Sequence, residues 1–170
     1  MKKLSLVVAV LLLMPVCATA YPVSVPSGWQ PFSFGGAGSA ASVNPVTFTA
    51  TTPVDFTVTD AYVLGDEFSV SNGVTLLGYT STVTPNGAAT CDDDPVACIA
   101  GGWSNGTWLL GPGTYSINID TFASPFGGGG AYFEVNPAAP PVPEPGTMGL
   151  LGTGLLGLLG IARRRFGKKA

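Results

Sequence analysis

The chain has 170 residues, with seven Lys or Arg, ten Asp or Glu and no His, for a formal charge of −3. Every cation sits near one end or the other, so the stretch from Tyr21 to Ala162 carries all ten carboxylates and no base. This excludes nucleic-acid binding, which needs cations to meet phosphate. It also removes the His bases, Lys Schiff bases, Arg clamps and His metal ligands on which most enzymes depend.

Residues 1–20 read as a secretory signal peptide. Lys2 and Lys3 form a positive start, Leu4 to Leu13 an apolar run, and Ala18-Thr19-Ala20 a small-residue site cut before Tyr21 by a signal peptidase. An uncleaved anchor would want a longer run than the one Pro15 interrupts. A lipoprotein site at Cys17 would want a small residue where Val16 stands.

From Tyr21 to residue 136 the chain is rich in Val, Thr, Phe, Tyr, Gly and Pro, which favours strands and turns over helix. Short strands are expected at Trp29–Phe34, Val46–Thr51, Val54–Val63, Glu67–Ser71, Val74–Thr80, Thr107–Leu110, Gly113–Phe122 and Ala131–Val135. Asn72-Gly73 between two of them signals a hairpin. The four glycines Gly127 to Gly130 read as a flexible hairpin loop, or as a place where backbone approaches a ligand closely. The expected fold is an all-β, antiparallel, jelly-roll-like sandwich.

Three features of this segment carry candidate chemistry. Cys91 and Cys98 are its only cysteines, and export to an oxidising space predicts a disulfide between them. Asp92, Asp93 and Asp94 lie inside that loop, either as a solvated acidic turn or as Ca²⁺ ligands whose mutual repulsion the ion would relieve. Asp60, Asp66 and Glu67, at strand ends, are further candidate Ca²⁺ ligands. The aromatic residues either fill the core or stack on sugar rings, and Trp103, among Gly101, Gly102, Ser104 and Asn105, reads as the best exposed platform. No enzyme is expected: a glycosidase needs two placed carboxylates, and its usual basic neighbours are missing here.

Residues 137–145 form a Pro-rich spacer ending in Pro143-Glu144-Pro145. Residues 146–162 are uncharged and would make a helix about 25 Å long, near the lower limit for crossing a bilayer. Arg163, Arg164 and Arg165 open a basic tail, residues 163–170, that stays cytoplasmic and leaves the body outside.

This order of parts resembles the PEP-CTERM sorting tail of Gram-negative bacteria, and Val54–Asp60, Gly65–Gly78 and Gly113–Val135 resemble the single sandwich ectodomain common among proteins that carry it. The resemblance implies recognition of Pro143, Glu144 and Pro145 by a membrane-embedded exosortase. It further implies cleavage near that motif and delivery to the cell surface or extracellular matrix. The expected role is structural or adhesive within an exopolysaccharide or biofilm matrix. The alternative is a carbohydrate-binding module, with or without Ca²⁺.

Overall fold

The computed structural model describes residues 20–139. The signal peptide expected up to residue 19, the Pro-Glu-Pro motif, the helix expected over residues 146–162 and the basic residues after it lie outside the described residues.

Among the described residues, eleven strands and one short helix follow in chain order. The strands are β1 (Tyr21–Pro22), β2 (Gln30–Phe34), β3 (Val46–Ala50), β4 (Val54–Asp60), β5 (Val63–Leu64), β6 (Glu67–Asn72), β7 (Thr75–Tyr79) and β8 (Asn86–Thr90). Helix α1 (Pro95–Ala100) precedes β9 (Asn105–Leu110), β10 (Gly113–Ala123) and β11 (Gly129–Pro137). One sheet runs β1-β3-β10-β6-β7 and the other β2-β11-β4-β9, with β5 and β8 paired separately. Apart from the parallel pair β1–β3, every pairing in the two large sheets is antiparallel. The eight longer strands of those sheets are wound so that first and last neighbour each other in one sheet, and second and second-last in the other. That is the strand order of a jelly roll.

Alternation decides which faces meet. In β3, Val46, Phe48 and Ala50 point inward between more exposed threonines; in β11, Ala131, Phe133 and Val135 do the same. Strand β10 sends Ile117, Ile119 and Thr121 inward. The two inner faces form one core whose aromatic rings interlock edge to face, Phe34 on Phe68 at 4.9 Å and Phe32 on Phe68 at 5.5 Å. Phe56 stacks on Phe133 at 5.8 Å.

Asn72-Gly73 forms the expected hairpin, with Asn72 opposite Thr75 and Gly73 at φ +57°. Gly127 to Gly130 do not form one. Strands β10 and β11 belong to opposite sheets, so the turn carries the chain across the sandwich, and Gly129 and Gly130 are already strand. Gly128, at φ +113°, is required there because a Cβ would lie 2.7 Å from the Phe34 carbonyl oxygen. The close approach is to the protein's own backbone.

The run expected from Val54 to Val63 stops at Asp60, and β5, β8 and α1 are elements that alternation does not reveal. Together they form a small lobe with its own apolar centre. Ala61, Cys98 and Trp103 are buried there, and Leu64, Ala89, Cys91 and Tyr132 pack against them.

Candidate functional site

The lobe is built around the Cys91–Cys98 disulfide, which closes as expected with the Cα atoms 5.1 Å apart. Inside the loop, Asp94 caps helix α1. Its Oδ1 accepts the amides of Val96 at 3.0 Å and Ala97 at 3.1 Å, and Pro95 occupies the first helical position. Among the described residues, no group of three or more His, Cys, Asp or Glu side chains is placed to hold a metal ion. Asp92, Asp93 and Asp94 are therefore not gathered into a cage: all three are exposed and Asp94 is turned back onto the helix.

Trp103 is not the exposed platform that its glycine-rich surroundings suggest. It is 8 % exposed, because those glycines let the ring fold inward. A Cβ on Gly101 would lie 2.8 Å from Trp103 Cζ3, and the indole Nε1 donates to the Tyr62 carbonyl at 3.3 Å.

The inward turn of Trp103 has a second consequence. It fixes Tyr62, the aromatic residue that the lobe does present. Tyr62 adopts φ +60°, a left-handed conformation that a bulky side chain rarely takes. Its carbonyl accepts both the Trp103 indole and the Cys91 amide, the latter at 3.1 Å. From the other side, the fully buried Asp60 carboxylate accepts the amides of Ala61 at 2.8 Å and of Gly65 and Asp66 at 3.2 Å each. The turn between β4 and β5 is thus tied to the disulfide loop on one side and to the sandwich on the other.

Tyr62 faces strand β11. A Cβ on Gly130 would lie 2.8 Å from its ring, so glycine at 130 lets the ring rest on the sheet. Tyr132, two residues along on the same outward face, brings its hydroxyl to 3.4 Å from that of Tyr62. Next to this pair lies a groove of about 370 Å³, whose other walls include Pro31 and Ser33 of β2 and the neighbouring Ser42. The hydrogen bond to Tyr62 and partial burial push the Tyr132 phenol up to about 12, with the Asp93 carboxylate adding to the rise. At neutral pH the hydroxyl keeps its proton and can donate.

Beneath the turn lies a pair of carboxyl groups. Burial pushes Asp60 up to about 7, the charge on Asp66 raises it further, and the three amides it accepts pull the other way. Asp66 is 4 % exposed and raised by its own burial, and its Oδ1 has no hydrogen-bond partner. Glu67 Oε1 accepts the Val83 amide at 3.1 Å. The Asp60 and Glu67 carboxyl groups hold backbone in place, and all three acids lie under the surface.

Comparison with known proteins adds what the described residues leave out. The family model of the PEP-CTERM protein-sorting motif matches residues 141–165. The chain carries a PEP-CTERM sorting motif. The match spans Pro143, Glu144 and Pro145 as well as Arg163, Arg164 and Arg165, and it marks an exported, exosortase-processed protein of Gram-negative bacteria. No curated protein matches this chain. Among solved structures, the pre-peptidase C-terminal domain of a collagenase from Bacillus anthracis is similar at 12 % identity and a TM-score of 0.39, over 69 % of this chain and 94 % of that one.

Proposed function

We propose that this protein is a non-enzymatic component of the cell surface or extracellular matrix, delivered there by exosortase sorting and serving a structural or adhesive role among exopolysaccharides. The observation that carries the reading is the sorting motif at residues 141–165. A compact, disulfide-pinned sandwich whose buried acids bond its own backbone supports it, since such a body suits a passive module outside the cell. In this reading the precursor passes signal peptidase at its N-terminus and is held in the inner membrane by residues 146–162 until an exosortase acts near Pro143-Glu144-Pro145.

Fractionation of cells into cytoplasm, membranes, surface wash and matrix tests the reading. The mature chain should be found in the matrix fraction and be released when matrix polysaccharide is digested. Recovery in the inner membrane alone would contradict it, and release of reducing sugar from matrix by the purified chain would contradict the non-enzymatic part.

The second reading is a carbohydrate-binding module, and the groove beside Tyr62 and Tyr132 favours it. The exposed Tyr62 ring, beside the half-buried Tyr132, offers the flat apolar surface that the C–H face of a sugar ring covers. If Asp92 and Asp93 bridge a glycan through Ca²⁺, a chelator will abolish binding; unchanged binding in chelator assigns recognition to the tyrosines.

A further inference from the structure

We infer that the groove between Tyr62, Tyr132, Ser33 and Ser42 binds a neutral saccharide unit. This deepens the carbohydrate-binding reading above by naming the class of ligand, and it rests on that reading. Tyr62 is a large side chain held 42 % exposed, on a left-handed backbone, by hydrogen bonds to both its carbonyl and the carboxylate before it. Strain retained under that many constraints is found where a side chain must be presented. Its position is set before any ligand arrives, so binding would cost little further ordering.

The chemistry of the walls selects the ligand. Two phenol rings supply apolar faces, and the two phenol hydroxyls with those of Ser33 and Ser42 supply donors and acceptors around them. The Ser42 Oγ already accepts the Ser33 amide at 3.0 Å, which leaves its proton free to donate. A ligand with C–H faces and a rim of hydroxyls matches this set; a purely apolar one would strand the hydroxyls. No Lys, Arg or His lies between Tyr21 and Ala162, and the Asp93 charge acts on Tyr132, so an anionic sugar would be repelled. The volume suits a small ligand rather than a protein partner.

The test is affinity electrophoresis and titration calorimetry of the full chain in detergent against cellohexaose, mannohexaose, xylohexaose and chitohexaose, with polygalacturonate as the anionic probe. Wild type should bind at least one neutral hexasaccharide. Tyr62→Ala should weaken that binding about tenfold or more, while Tyr62→Phe, which keeps the ring, should retain most of it. Ser33→Trp fills the groove from an exposed strand position and should abolish binding even if Tyr62→Ala proves poorly folded. Failure to bind any neutral sugar, equal binding by Ser33→Trp, or preference for polygalacturonate would overturn the assignment. The groove and the reading it rests on fail distinguishably. Sugar binding that survives in Ser33→Trp refutes the groove alone, whereas a chain that binds none of the sugars refutes carbohydrate binding with it.

Discussion

Asp60 shows how one residue serves two structures at once. It ends strand β4 with no exposed surface, and its carboxyl organises the turn that carries Tyr62. Its carboxyl sits at about 7 in the fold against 3.8 ordinarily, so the folded state holds the proton more tightly than the unfolded chain. Stability must then fall as pH rises from 3.8 through about 7 and level off above that. Asp66 and Glu134, raised by burial too, act in the same direction. Thermal unfolding across this window should show a midpoint that climbs on mild acidification, and Asp60→Asn should flatten most of the climb. Asn cannot accept all three amides, so that variant should also be less stable throughout. A midpoint that rises with pH in wild type would contradict the account. At this scale the sequence was a poor guide to the site. Glycines beside Trp103 suggested exposure, yet they are what let its ring turn in, and nothing local distinguishes Tyr62 from a core tyrosine.

Among the elements, what was legible followed from period-two patterning. Val46, Phe48 and Ala50 alternate with threonines, and Gly113 to Ala123 alternates over most of its length, so these strands were readable. Asn86 to Thr90 has no such pattern because β8 pairs only with the short β5 and covers no deep core. Helix α1 did leave a signal, Asp94 followed by Pro95, but it is a helix start hidden inside an acidic run that also suggested a metal loop. Replacing Asp94 with Ala should cost about 1 kcal/mol through the lost cap, measured by denaturant titration, and leave any effect of added Ca²⁺ on stability unchanged. A Cys91→Ser, Cys98→Ser double variant should lose roughly 2–3 kcal/mol. Because the disulfide braces the Tyr62 turn, exchange of the Trp103 indole proton should quicken while the Phe133 amide in the main core stays protected. Equal loosening of both would mean that the lobe has no independent role.

At the scale of the whole molecule, the jelly-roll order closes the two sheets over one core, and the segment just after edge strand β7 is tied to edge strand β9 by the Ser81 amide donating to the Asn105 carbonyl at 2.8 Å. Trp108 covers the same edge, its ring so near Gly78 that a Cβ there would lie 2.8 Å from the indole nitrogen. The charge pattern serves the same end. An acidic body without bases repels anionic surfaces, while the cations are confined to the two ends, with Arg163, Arg164 and Arg165 inside the matched sorting motif. The sorting motif was the most legible part of the chain, because its parts must stand in a fixed linear order to be recognised, whereas the groove depends on residues that only folding brings together. Residues 141–165 mark the chain for exosortase processing. Intact mass spectrometry of the native protein, from cells with and without the exosortase, tests it most directly. With the enzyme present, the spectrum should show a disulfide-bonded chain from Tyr21 to about Pro145, lost when the enzyme is removed; a chain still ending at Ala170 in both strains would rule out exosortase processing.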